Sequence, residues 1–361
     1  MIGWVGKQLD AFRGRGESAA TVPPMDGALR PNTLLDAAPL VLHVERPDNL
    51  AVNAGAVLFS SGTGVLQLSG QTASLLHRFD SEVTCLAVGP DGSIAAGLAD
   101  GSIRILQNFR EIALMALPGG QGIGCWTAMV FRNATTLIAC QGSAANSAHD
   151  WKHDLMQRGR SGAVWEVSIP SAGFRQLCNG LAFPYGVVAL GEDLIVTEAW
   201  RHRLIQLSKA GAKPLLSDLP GYPSRIVAAA GRGYWLTIFA PRSPLIEFVL
   251  RERGYCERML QEIEPDYWLA PSLAPPRSFL EPMQGGALRM HSILKPWAPT
   301  RSYGLLIRLD DNFRPVASYH SRTDGARHGV TSCLDVGGRL LVASKGGDAI
   351  VELQPAEGAS P

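Results

Sequence analysis

Seven polar residues stand at the beginnings of apolar, β-rich stretches, where a sheet protein can aim side chains at a shared centre. They are Glu45 and Asp48 in ERPDNLAV, Thr127 in WTAMVF, Tyr185 in PYGVVAL, Ser224 and Arg225 in PSRIVAAA, and Thr331 in VTSCLDV. Glu45 could act as a general base or a residual metal ligand, or pair with an arginine as a strand carboxylate. Arg225 could clamp a carboxylate or phosphate through two parallel N–H bonds, or hold a structural ion pair. Tyr185 could donate to an oxyanion or simply fill space. Asp48, Thr127 and Ser224 would supply polar contacts to a ligand.

A second group sits in VTEAWRHR. Glu198 and Arg203 read as a bracing ion pair or an acid/base couple, and Trp200 as an aromatic wall for a ligand. His202 and His328 are candidate proton shuttles, because imidazole titrates near neutrality. His149 and His153 in HDWKHD have the i, i+4 spacing of metal ligands on a helix but lack the glutamate of HExxH. No G-x-S-x-G elbow, phosphate loop or post-strand GxGxxG is present, and GGQGIG (119–124) has the wrong glycine spacing. Without an activated nucleophile, any chemistry would run by polarisation and acid/base catalysis.

The elements that must position these residues recur along the chain. The stretches 48–69, 84–107, 126–142 continued at 161–169, 184–208, 224–240 and 330–354 each carry alternating apolar positions and tight turns such as PDG, GED and GG. Such turns join antiparallel neighbours. Val52, Val88 and Val130 are equivalent positions about 40 residues apart, the period of propeller blades. Six units predict an all-β, six-bladed β-propeller over 39–355. PLVLHVE (39–45) would close the ring with the last blade, and the first strand of each unit would line a central channel. Residues 1–38 form an N-terminal extension, in which Ile2, Val5, Leu9 and Phe12 could line one helix face, and 356–361 form a tail. Insertions at 143–160 and 244–302, the latter with a helical PLIEFVLRERGYCERMLQEI, cap the channel or brace the blades. Trp297, Arg301 and Tyr303 would belong to such a lid or anchor its hinge.

Composition narrows the function classes. Of 361 residues, 46% are hydrophobic and 18% charged, with 39 glycines and 24 prolines, which favours turns over long helices. Lys+Arg 33 against Asp+Glu 32 leaves a formal +1 without a basic block, so a dedicated nucleic-acid binder is not expected. No apolar run reaches the length of a transmembrane segment. Six scattered cysteines without metal-type spacing read as isolated thiols in a reducing compartment. The charged N-terminus is unlike a secretory signal, and a cytoplasmic location is the expectation.

FPYGVVALGEDLIVTEAWRHRLIQL, LLSDLPGYPSRIVAAAGRGYWLTIFAPRSPLIEF and HGVTSCLDVGGRLLVASKGGDAIVEL resemble the strictosidine synthase-like family, including its adipocyte plasma membrane-associated branch. The SMP-30/gluconolactonase/paraoxonase group is a more distant match. The resemblance covers roughly 40–355 and implies a six-bladed propeller with its site in the channel. It also implies a catalytic glutamate on the last blade, but that position is Thr331, so strictosidine synthesis is not expected. The group's calcium ligands would fall on Glu45, Thr127, Tyr185 and Ser224, leaving one anionic ligand of the set. Calcium is therefore an open cofactor at most, and a fixed guanidinium at Arg225 could stand where relatives hold a metal. The expected function is binding of a small organic molecule in the channel, with hydrolysis of a lactone or ester as one reading and a non-catalytic binding or interaction protein as the other. Oligomeric state is not encoded in these patterns.

Overall fold

The computed structural model describes residues 22–119, 122–282, 284 and 300–354, and the backbone alone of 289–290 and 293–294. Among the described residues, six four-stranded antiparallel sheets surround one axis. Blade 1 comprises Asp48–Asn53, Ala56–Ser61, Gly64–Ser69 and Thr72–Arg78. Blade 2 runs from Val83–Val88 to Arg110–Ala116, blade 3 from Trp126–Asn133 to Gly173–Leu181, and blade 4 from Pro184–Leu190 to Gly211–Leu216. Blade 5 joins Gly221–Ala228 and Tyr234–Pro241 to Gly304–Leu309 and Pro315–Ser321 across the long insertion. Blade 6 (Val330–Val336, Arg339–Ser344, Ala349–Leu353) takes Leu40–His43 as its outermost strand. The last sheet is thus built from both ends of the propeller, and no blade is left with an open ring edge. The predicted all-β, six-bladed architecture is the architecture found.

The first strand of each blade lies innermost, and these six strands contact one another in order around the ring. Each carries a register irregularity near its start, skipping Asn49–Leu50, Thr84, Thr127, Tyr185, Ser224–Arg225 and Thr331 in turn. A bulge re-aims the groups of the residue left unpaired. Six bulges at one level turn backbone and side-chain groups toward the axis. Hydroxyls then tie neighbouring blades: Thr127 Oγ1 donates to the Pro184 carbonyl at 2.6 Å, Thr197 Oγ1 to Ser224 at 2.7 Å, and Ser224 Oγ to Val330 at 3.2 Å.

Both insertions leave their blades between the second and third strands, so they emerge on one face. The first holds helix α2 (Trp151–Met156); the second holds α3 (Pro244–Val249) and α4 (Arg253–Glu262), following α1 (Leu34–Ala37) of the N-terminal extension. Leu155, Met156, Phe239, Ile246, Val249 and Met259 join one buried cluster, so the insertions have an apolar core of their own and brace blades 3 to 5. Residues 22–38 run along blade 5, where Asp36 Oδ1 accepts from Ser321 Oγ at 2.7 Å. The possible helix on Ile2, Val5, Leu9 and Phe12, and the tail, lie outside the described residues, as does Trp297.

The long insertion is held to the ring by close backbone approach. Leu273 presses its carbonyl on Gly346, where a Cβ would collide with it, and on Gly329, whose φ of +62° already favours glycine. Gly346→Ala is expected to cost about 1–3 kcal/mol, the usual penalty of overpacking. Limited proteolysis should then cut within 244–302 faster than in the native protein.

Candidate functional site

The axis is occupied by one side chain. Arg225, from blade 5, is 9% exposed and reaches across the channel. Its Nη1 donates to Asp48 Oδ1 at 2.7 Å and to the Thr331 carbonyl at 3.1 Å. Its Nη2 donates to the carbonyls of Thr84 at 3.0 Å and Thr127 at 3.1 Å. The Tyr185 ring of blade 4 lies 5.4 Å from Cζ, a cation–π distance. One guanidinium therefore touches all the other five blades, through residues at or beside the bulges.

Asp48, 2% exposed, is the counter-charge. Its Oδ1 also accepts from the Thr331 hydroxyl at 2.9 Å and the Asn49 amide at 2.8 Å, and its Oδ2 from Lys345 Nζ at 3.0 Å. Burial alone would raise this carboxyl, but Arg225 and Lys345 outweigh it and bring it down to about 2. Burial opposes the charges on Arg225 and Lys345 as well, and Asp48 holds both above their ordinary values. Two cations facing one carboxylate leave the hub with one net positive charge.

Above the hub lies a cavity with about 600 Å³ of empty space, part of it open to solvent. Trp126, Phe183, Tyr185 and Phe239 from the blades and Trp151 and Leu273 from the insertions give it apolar walls, and Thr84, Thr127 and Lys345 are among the polar groups of its lining. Trp151 meets Phe239 edge-on at 5.3 Å, and Tyr185 meets it at 5.4 Å, geometries worth about 0.5–1.5 kcal/mol each beyond burial. Burial and then the Asp48 charge raise the Tyr185 phenol, keeping it a hydrogen-bond donor at neutral pH. At the mouth, His149 Nε2 lies 3.2 Å from Glu82 Oε2.

The expected site residues divide accordingly. Asp48, Thr127, Tyr185, Arg225 and Thr331 meet at the axis, and Ser224 is buried beside them with its hydroxyl on Thr237 and Val330. Glu45 is exposed in the loop after Leu40–His43, so it does not serve as a channel base or ligand; Asp48, three residues on, takes the axial carboxylate position. Glu198 is fully buried with Arg201 at 2.7 Å and Arg203 at 2.6 Å, an ion-pair brace away from the hub. Trp200 stacks on Phe183 at 4.4 Å and donates to Asp154 at 2.7 Å, packing the insertions and not lining the cavity.

His328 is also away from the cavity. It is fully buried between Ser302 Oγ at 2.8 Å and the Arg322 carbonyl at 2.7 Å, and burial lowers its imidazole. A neutral ring held at both nitrogens cannot shuttle protons to a channel ligand. Burial and Arg242 keep His202 neutral as well. His149 precedes α2 and His153 lies on it, with its Nε2 at 2.9 Å from Gln157, so the i, i+4 pair does not form a ligand set. Arg301 is buried on the carbonyls of Ala270, Pro282 and Trp268, anchoring the insertion.

Sequence reasoning did not single out Lys345, Thr84, Trp151 or Phe239. Thr84 had a signal: VTC, WTA and VTS place a threonine at the same point of three blades. Lys345, in the turn after Arg339–Ser344, had none that alternation of apolar residues could show.

A calcium ion of the kind expected from the resemblance does not fit these residues. A hard cation needs several oxygens, usually with carboxylates among them. The axial oxygens of Thr84, Thr127, Thr331 and Asp48 are already engaged by guanidinium hydrogens, and a second cation would face Arg225 and Lys345. Among the described residues, no group of three or more histidine, cysteine or acidic side chains is placed to hold a metal. All six cysteines are free thiols, with Cys125 pushed by burial up to about 12.

No family model matches the chain. The adipocyte plasma membrane-associated protein of Bos taurus is 25% identical over 274 residues, covering 66% of this chain and 66% of its own length. That of Rattus norvegicus is 25% identical over 273 residues, covering 66% and 72%. The chain thus spans about two thirds of the length of these relatives. In fold it is similar to a structure assigned as a gluconolactonase, with a TM-score of 0.52, 9% identity, and 86% and 88% coverage. Regucalcin of Agrobacterium tumefaciens, described as a calcium-binding protein, gives 0.51, 11%, and 92% and 95%. The expected cytoplasmic location is corrected by the first two relatives, whose names place them at a plasma membrane. Among the described residues, no helix is long and apolar enough to cross a membrane. By sequence the chain is similar to the adipocyte plasma membrane-associated proteins, and it shares the propeller fold of the gluconolactonase and regucalcin structures.

Proposed function

We propose that the protein binds a small amphipathic organic molecule bearing a carboxylate or carbonyl oxygen in the cavity over its channel, without metal assistance. The observation that carries this reading is Lys345. Its ammonium has three donors; one serves Asp48 at 3.0 Å, and the side chain borders the aromatic cavity. A ligand oxygen at the remaining donors would meet the net positive hub, with Tyr185 beside it, while the body of the molecule packs on Trp126, Trp151 and Phe239. A recess walled by aromatic rings with convergent polar groups at its floor is a usual form of a small-molecule site. The names of the relatives support a setting at a membrane surface.

The hub itself offers little to acid/base chemistry. A carboxyl held at about 2 is a weak base, and the Thr331 hydroxyl is committed to Asp48. One observation favours a second reading, hydrolysis of an ester or lactone. His149 beside Glu82 at the cavity mouth could take a proton from water as it adds to a carbonyl held at Lys345, and return it to the departing alkoxide.

Thermal shift and tryptophan fluorescence with aryl carboxylates, fatty acids, lactones and organic amines test both readings. Carboxylates or lactones are expected to stabilise the protein and amines are not. Lys345→Gln should weaken the best ligand at least tenfold, roughly the loss of one charge-assisted hydrogen bond, with Tyr185→Phe weakening it less. Equal binding of amines, or no binding by any class, would overturn the site. Turnover of a lactone lost in His149→Gln would establish the hydrolytic reading instead.

A further inference from the structure

A second cleft, away from the channel, carries an unusual charge. It lies over blade 4, between the end of the first insertion, the turn at 199–203 and α3, and encloses about 1310 Å³ open to solvent. Six arginines line it: Arg158, Arg160, Arg201, Arg203, Arg242 and Arg251. Only Asp218 and Glu247 oppose them in the lining, with Glu198 buried beneath.

The back wall is pre-organised. Arg201 and Arg203 are fixed on the two oxygens of Glu198. Arg242 is fixed on Asp218 at 2.7 Å and lies 3.5 Å from Glu247. Tyr222 and His202 also face Glu247, at 3.1 and 3.6 Å. The front is under-compensated. Arg158 makes no ion pair among the described residues, and Arg251 has a buried Nη2 without a hydrogen-bond partner. Burial, and then the neighbouring Arg160, Arg253 and Arg251, lower the Arg158 guanidinium from its ordinary value, against the smaller opposing effect of Glu247. These arginines are thus close enough to repel one another.

Local backbone points the same way. Arg158 follows α2 with φ +55°, the left-handed region, and its amide caps the Leu155 carbonyl at 2.8 Å. Glycine is the usual residue at such a helix end, and any other residue there costs about 1–2 kcal/mol. An arginine in this conformation, lining a cleft with five others, is disfavoured by its backbone and by its neighbours, and an anion in the cleft would offset the second of these. Guanidinium forks match the oxygens of phosphate, and several converging on one concave site favour a multiply charged group over a single carboxylate.

We infer that this cleft is a binding site for a multiply charged phosphate group, carried by a small molecule or a lipid headgroup. The inference does not depend on the channel ligand. The test titrates the native protein calorimetrically with pyrophosphate and, separately, follows its sedimentation with phosphatidylcholine vesicles with and without a phosphatidylinositol phosphate. Saturable binding of pyrophosphate, weakened at least tenfold in Arg158→Gln/Arg160→Gln and preserved in Lys345→Gln, is expected and assigns a soluble phosphate. Vesicle binding that needs the phosphoinositide and is lost in the same double variant assigns the headgroup. Arg158→Gly, which relieves the left-handed backbone, gives a second reading of the same loss in a folded protein. Absence of both kinds of binding, or binding that the arginine variants leave unchanged, would overturn the inference.

Discussion

Arg225→Met is expected to destabilise the protein by about 3–5 kcal/mol, the range for removing one partner of a buried ion pair. The change leaves the Thr84 and Thr127 carbonyls facing an apolar side chain, and takes from Asp48 one of its two cationic partners. It also removes the one group that links all six innermost strands. Arg225→Lys should recover only part of the loss, because an ammonium cannot span Asp48 on one side and the Thr84 and Thr127 carbonyls on the other as the guanidinium fork does. Chemical unfolding of the three proteins checks this. A methionine variant within about 0.5 kcal/mol of native, the range of an ordinary surface substitution, would mean that the axial arginine is dispensable.

The second large effect concerns Asp48. Asp48→Asn keeps the shape but leaves Arg225 and Lys345 buried near one another without their counter-charge, and is expected to cost about 3–5 kcal/mol. Acid should reproduce part of this in the native protein. The folded carboxyl sits at about 2 against about 3.9 in an unfolded chain, a difference on the order of 2–3 kcal/mol. That stabilisation is complete above pH 4 and is lost as pH falls through 2. Stability measured across this window should therefore fall more steeply in the native protein than in Asp48→Asn. Parallel acid limbs would show that Asp48 does not titrate as the hub requires.

How much of this could be read from residues alone varied with burial. The three inner strands of five blades were legible because apolar side chains face both neighbouring blades; in blade 5 only the first two were, because the third, Gly304–Leu309, follows the long insertion. The outermost strands, such as Thr72–Arg78 and Arg110–Ala116, are largely exposed and leave no alternating apolar trace. At the axis, Arg225 and Asp48 were visible as residue types but not as a pair, since 177 positions separate them. A skipped register at Ser224–Arg225 turns the arginine inward and leaves the serine to stitch blades. The acidic role expected at Glu45 falls on Asp48 because the inner strand begins there, while Glu45 is in the exposed loop before it. Lys345 enters from a turn on the last blade, which only closure of the ring brings to Asp48.

In this propeller a guanidinium holds the axial position where a metal ion would otherwise sit. Thermal unfolding of the native protein in chelator and in millimolar calcium is the decisive measurement. Saturating a micromolar site a thousandfold would add about 4 kcal/mol of stability. The hub described here requires the two melting curves to coincide. A calcium-dependent rise in the melting temperature, abolished in Asp48→Asn, would place an ion at the axis and contradict it.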